Sequence, residues 1–164
     1  SRVPEMLIAS SCSKNFGLYR ERTGALILVT DSAAQAEAAR SQALNAARQI
    51  YSMPPSHGAL IVDLILADSA LRQSWVGELD GMHTRIAGMR RQFVERLNAN
   101  GGGGNFDFIG REFGMFSFLG VTAEQVRRLR SEFGIYMVDS ARINVAGLNR
   151  ANIDYVAEAI GKVI

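Results

Sequence analysis

Cysteine occurs once in these 164 residues, as Cys12. A single thiol excludes an internal disulfide framework and fits a reducing compartment, so a cytoplasmic setting is expected. Histidine occurs twice, as His57 and His83; two imidazoles that far apart begin no metal-ligand cluster, and no metal is expected. No apolar run approaches the ~20 residues that cross a bilayer. The residues from Ser1 to Glu5 lead into only a short apolar stretch, which does not read as a signal peptide. No membrane partner is expected. Lysine is scarcer than arginine: of eighteen basic residues sixteen are Arg, leaving Lys14 and Lys162. Those arginines are scattered among acids, as in Arg127-Arg128-Leu129-Arg130-Ser131-Glu132, and the net charge is only +2. Without a basic run interleaved with aromatics, no nucleic-acid partner is expected.

What is present is an ordinary globular composition, 48% hydrophobic and 21% charged, in a length that suffices for one packed domain or two partial ones. Met6–Ser10 and Ala25–Thr30 are apolar runs that read as buried strands of an open α/β sheet, where ligands gather at carboxyl ends. Ser32-Ala33-Ala34-Gln35 is a capping box opening a helix. Ala36, Ala39, Ala43, Leu44, Ala47 and Ile50 mark one face of it, and Pro54-Pro55 stop it near Tyr51. Leu60–Leu66 is open between strand and helix on periodicity; its connection to the next element favours a helix.

Ser69 is expected to cap a long helix with a seam of Leu71, Trp75, Leu79, Met82, Ile86, Met89, Phe93 and Leu97. A helix roughly 40 Å long at 1.5 Å per residue reads as a connector between domains. Gly101 to Gly104 reads as a flexible loop, since no Lys-Ser/Thr follows as in a phosphate cradle. Strands are expected at Phe106–Ile109, Met115–Phe118, Ile135–Val138 and Arg142–Val145. Thr122 to Gln125 is a second capping box, Gly134 a left-handed stop, and Asn149 the opening of a last helix.

Lys14 stands out chemically. An arginine keeps its proton in a protein, whereas a lysine amine can lose it and attack a carbonyl. Ser11 and Ser13 flank it and Arg22 follows. Hydroxyls, a guanidinium fork and an amine together suit an aldehyde that also bears a phosphate. Taken alone, S-x-x-K with a later Arg is common in solvated loops. The full string Ser11-Cys12-Ser13-Lys14-Asn15-Phe16-Gly17-Leu18-Tyr19-Arg20-Glu21-Arg22-Thr23-Gly24 is far more specific. It resembles the cofactor-lysine segment of class I aminotransferases, in the aspartate and aromatic amino-acid branch.

Two further segments carry the same resemblance in the same order and spacing. One is Arg48-Gln49-Ile50-Tyr51-Ser52-Met53-Pro54-Pro55-Ser56-His57-Gly58-Ala59, with Met53 where the aspartate branch often has asparagine. The other is Ser140-Ala141-Arg142-Ile143-Asn144-Val145-Ala146-Gly147, with Ala141 in place of the usual glycine. On residue type alone Arg48 complements a helix dipole, Arg142 is a surface arginine at a strand end, and His57 a loop or helix-start residue.

The resemblance implies more. Lys14 would be the catalytic and cofactor-binding lysine, and Ser11 and Arg22 would hold the phosphate of pyridoxal 5′-phosphate. Arg142 would fork the substrate's α-carboxylate, with Phe116 near the substrate. Arg48 would reach across a homodimer to a second carboxylate. The implied activity moves an amino group between an aspartate, glutamate or aromatic amino acid and a 2-oxo acid such as 2-oxoglutarate. Another pyridoxal-phosphate chemistry such as β-elimination, or a non-catalytic interaction module, would use fewer of these residues.

The implied fold class is α/β, pyridoxal-phosphate-dependent transferase-like. Residues 1–68 would close the large cofactor-binding domain, 69–100 form the connecting helix, and 101–164 form a small α+β domain. The chain would correspond to the carboxyl-terminal two-fifths of a family member and be inactive alone.

Overall fold

Two antiparallel ribbons and six helices make up the computed structural model, which describes residues 3–100 and 104–164. The elements are β1 (Met6–Ser11), β2 (Gly24–Val29), α1 (Ala33–Tyr51), α2 (His57–Ala67), α3 (Ser69–Ala99), α4 (Asp107–Gly110), β3 (Phe116–Phe118), α5 (Ala123–Phe133), β4 (Arg142–Asn144) and α6 (Ile153–Val163). A 3₁₀ turn at Val145–Gly147 follows β4. They fall into two compact units, one ending at Leu79 and the other covering Asp80–Ile164. Three of the four glycines from Gly101 to Gly104 lie outside the described residues.

In the first unit β1 pairs with β2 antiparallel, Met6 opposite Val29 and Ser11 opposite Gly24. The glycine is required there: a Cβ on Gly24 would run into the Ser10 carbonyl. The buried-sheet expectation for both runs is corrected. They form a two-stranded ribbon, all of β1 is exposed, and Leu7 and Leu26 keep 75% and 56% of their surface in contact with solvent. A ribbon with one partner per strand has nothing to cover both faces of an apolar sequence.

α1 starts at Ser32, whose Oγ accepts from Gln35 N at 3.3 Å. The reciprocal half of the expected box differs, because Gln35 Oε1 accepts from the Ser32 hydroxyl rather than from its backbone. α2 resolves the ambiguous Leu60–Leu66 run as helix. At the next junction Asp68, not Ser69, is the cap: its Oδ1 accepts from Ala70 N at 2.8 Å and Leu71 N at 2.9 Å. A carboxylate satisfies exposed amide donors and suits the positive end of the dipole.

The second unit holds the core. Every buried apolar residue of the described chain lies between Met89 and Val163, with Phe93, Ile109, Leu129 and Ile160 among those fully enclosed. Only the carboxyl-terminal part of the α3 seam, Met89, Phe93 and Leu97, is buried. Thr122 forms both halves of its capping box with Gln125, at 3.2 and 2.8 Å, and Gly134 ends α5 at φ +64°.

Three sequence expectations fail in this unit. Phe106–Ile109 is not a strand: Asp107–Gly110 is a helical turn, started by Asn105 Oδ1 accepting from Asp107 N at 2.9 Å. The buried pair is Phe106 and Ile109, which share a face at helical spacing. Ile135–Val138 joins no ladder, because β3 pairs with β4 alone among the described residues. Asn149 opens a turn, accepting from Ala151 N at 2.8 Å, and α6 itself starts at Ile153.

Candidate active site

β1 and β2 bring their loop ends together, and the backbone pairing continues one step past Ser11 through Cys12 N to Thr23 O at 3.0 Å. The segment between them carries Lys14 and Arg22. Cys12 O accepts from Phe16 N at 3.2 Å and from Leu18 N at 3.4 Å, folding the chain back on itself. Ser11 Oγ accepts from Ser13 N at 3.2 Å and lies 2.9 Å from the Ser13 hydroxyl. Arg22 Nη1 donates to Tyr19 O at 2.9 Å. The Lys14 amino group stands over the Tyr19 ring, 4.3 Å from its centre. Ser11, Lys14 and Arg22 are all exposed on this one loop.

That donor set fits a phosphorylated aldehyde. Arg22 spends one N–H on Tyr19, and its fork keeps others for a phosphate oxygen. Ser11 adds a hydroxyl, and Lys14 supplies the one amine of the loop.

The remaining sequence-derived residues lie elsewhere. Arg48 is exposed in the last turn of α1, and its carbonyl accepts from Ser52 N at 3.0 Å. In the second unit β3 and β4 pair antiparallel, with Phe116 opposite Asn144 and Phe118 opposite Arg142. Alternation therefore puts Phe116, Phe118, Arg142 and Asn144 on the solvent face and Ser117 and Ile143 on the inner one. Arg142 and Phe116 meet on that outer face, the guanidinium carbon 5.0 Å from the ring centre. A cleft of about 400 Å³ opens beside them, with Tyr136, Val138 and Asn152 in its wall.

The backbone is unusual at three positions. Among the described residues the non-glycine residues with positive φ are Arg22 at 52°, Ser52 at 65° and Ala141 at 59°. One is Arg22 itself, one is the C-cap of α1, whose last turn holds Arg48, and one immediately precedes Arg142. Such conformations are uncommon for residues bearing a Cβ, and they gather at functional sites.

The model of a known family, aminotransferase class I and II, matches residues 1–160. The chain belongs to that family. It is 48% identical over 160 residues to an aromatic-amino-acid aminotransferase of Paracoccus denitrificans, covering 98% of this chain and 41% of that protein. It is 50% identical over 160 residues to an aspartate aminotransferase of Haemophilus influenzae, covering 98% and 40%. Among solved structures, an aromatic-amino-acid aminotransferase from Burkholderia pseudomallei, covalently bound to pyridoxal phosphate, superposes with a TM-score of 0.86 at 50% identity, covering 97% of this chain and 40% of that one. The α/β, transferase-like fold class therefore holds for this aminotransferase chain, which spans about two-fifths of the length of the relatives it matches.

Sequence reasoning missed three supporting residues. Trp75 on α3 donates from Nε1 to Asn15 O at 2.8 Å and stacks on Phe16, with ring centres 4.5 Å apart; its seam position had marked it only as packing. Arg90, 4% exposed, donates to Ile109 O at 3.1 Å, to Gly114 O at 2.7 Å and to the Ser117 hydroxyl, with the Glu112 carboxylate 3.5 Å away. Burial pushes its guanidinium below the ordinary arginine range, and Glu112 opposes that shift. Arg85 donates to Leu148 O at 2.9 Å and to Ala146 O at 3.2 Å. Two arginines of α3 thus brace β3, which carries Phe116, and the turn that follows β4, the strand of Arg142. The double arginine Arg90-Arg91 beside the seam residue Met89 was the available signal.

Proposed function

We propose that this chain forms part of a pyridoxal-phosphate-dependent aminotransferase acting on aspartate, glutamate or aromatic amino acids with a 2-oxo acid as acceptor. Residues 1–68 belong to its cofactor-binding domain, 69–100 to a connecting helix and 101–164 to its small domain. The protein works as a homodimer in the cytoplasm, a setting that the single thiol suits. The observation that carries the reading is the gathering of Ser11, Lys14 and Arg22 on one hairpin loop, with a left-handed residue at Arg22 itself.

Each residue has a role set by its chemistry. Ser11 and Arg22 hold the cofactor's phosphate. Bound, pyridoxal phosphate supplies an electron sink for charge developing at the substrate's α-carbon. Lys14 Nζ takes the proton from that α-carbon as a general base. Arg142 grips the α-carboxylate with two parallel N–H bonds, and the Phe116 ring beside it restricts where the guanidinium can lie. Arg48 of one subunit reads the second carboxylate of a dicarboxylic substrate bound to the other.

The test is made in a longer active protein carrying this sequence. Lys14→Ala and Lys14→Arg should both abolish the borohydride-stable cofactor label and nearly all amino transfer from aspartate or tyrosine to 2-oxoglutarate. A guanidinium keeps its proton, so Arg cannot substitute. Near-normal turnover by either variant would sink the assignment.

A further inference from the structure

Resting on the aminotransferase reading, we propose that Tyr19 is a positioning residue for Lys14, its ring face holding the lysine amino group above the loop that bears Ser11 and Arg22. The amino group lies 4.3 Å from the ring centre, well inside the ~6 Å within which a cation is attracted to an aromatic face. A lysine side chain has many rotamers, and an exposed one without such a contact spreads over all of them. The Tyr19 ring face favours those that bring the amino group over it.

Tyr19 is itself fixed from both sides. Its N–H donates to Gly17 O at 3.2 Å, and its carbonyl accepts from Arg22 Nη1 at 2.9 Å. Gly17, at φ +69°, supplies the reversal between Lys14 and Tyr19. Behind the loop Trp75 holds Asn15 and Phe16, the two residues after the lysine. The guanidinium proposed for the phosphate and the ring that steadies the amine are therefore joined through one backbone carbonyl. The contact is measured to the ring face, so an aromatic ring without the hydroxyl should serve equally well.

The 164-residue chain can be tested directly because it has two lysines. After reductive methylation with ¹³C-formaldehyde, the Lys14 methyl signal, identified by its loss in Lys14→Arg, should lie upfield from ring current. Tyr19→Phe should keep that shift and Tyr19→Leu should remove it. Lys162, whose amino group is 5.9 Å from the Phe133 ring, should be the same in all variants. In a second arm the unmethylated chain is treated with pyridoxal phosphate and borohydride, and label is counted at each lysine. Preference for Lys14 over Lys162 should persist in Tyr19→Phe and shift about two- to fivefold in Tyr19→Leu, the scale of an exposed cation–π contact. A Lys14 signal at the free-lysine position, or one unmoved by Tyr19→Leu, overturns the proposal, as does an unchanged labelling preference in that variant. Absence of a borohydride-stable label at Lys14 in a longer active protein carrying this sequence overturns the cofactor reading instead.

Discussion

The Arg142 guanidinium lies over the Phe116 ring, 5.0 Å from its centre, across the outer face of a two-stranded ribbon. A guanidinium held against a ring in this way is restricted before any carboxylate arrives. Arg142→Lys keeps the charge but loses the planar fork. In an active protein it should lower kcat/KM for every amino-acid substrate alike, by at least about tenfold, since a hydrogen bond to a charged group contributes roughly 1.5–3 kcal/mol. Steady-state kinetics with aspartate and with tyrosine check this. A loss confined to dicarboxylic substrates would exchange the roles given to Arg48 and Arg142.

Ala141 sits at φ +59° and is 2% exposed, pinned by its N–H to Val138 O and by its carbonyl to Leu119 N. Glycine there would relieve ~1–2 kcal/mol of left-handed strain. It would also forfeit ~0.8 kcal/mol of methyl burial and add ~0.4–1 kcal/mol of unfolded-state freedom. Those figures nearly cancel, so Ala141→Gly should leave stability within about 1 kcal/mol. Ala141→Val adds branching where neither backbone nor space allows it and should cost ~2–4 kcal/mol. Urea unfolding of the two variants separates these outcomes.

Arg48→Leu should weaken aspartate and glutamate far more than phenylalanine or tyrosine. An aromatic side chain offers the guanidinium no anion, while a carboxylate left unpaired in a closed site costs ~1–3 kcal/mol or more. The ratio of kcat/KM values between the two substrate types is the readout. Equal losses would leave Arg48 a structural role at the end of α1.

Arg90→Leu removes the donors that satisfy three carbonyls and Ser117 and takes the cation from the Glu112 carboxylate, one of whose oxygens is buried without a hydrogen bond. Leaving buried acceptors without their donors costs about 1–3 kcal/mol each. The expected result is a much lower urea midpoint together with loss of order in β3. Exposed pairs such as Arg40 with Glu37 should tolerate the same change with little effect.

The 164-residue chain by itself should show no measurable amino transfer and should self-associate. Leu7, Leu26, Leu60 and Leu64 are all exposed in its first unit, and exposed apolar faces beside two unpaired strand edges invite association. A half-reaction with aspartate, followed by absorbance, and sedimentation at rising concentration test the two halves of this expectation. Monomeric chain that consumes aspartate stoichiometrically would overturn it.

Several helix ends and the order of the motifs were legible in the sequence alone. The Thr122–Gln125 box, the stop at Gly134 and the end of α1 near Pro54 depend on residues within one turn of each other, so the local string is enough to specify them. The Lys14, Arg48 and Arg142 segments likewise announce their chemistry by residue type and spacing. Burial and pairing depend on partners distant in the chain, and only the tertiary structure decided them. It left β1 and β2 exposed as a ribbon, withheld a ladder from Ile135–Val138, and turned Phe106–Ile109 into a helical turn so that two apolar side chains could enter the core together. The same holds for Arg90 and Trp75. Their indispensable partners, Ser117 and Asn15, lie 27 and 60 residues away, beyond the reach of any periodicity, because a hydrogen bond is specified by where the backbone brings two groups and not by how far apart they stand in sequence.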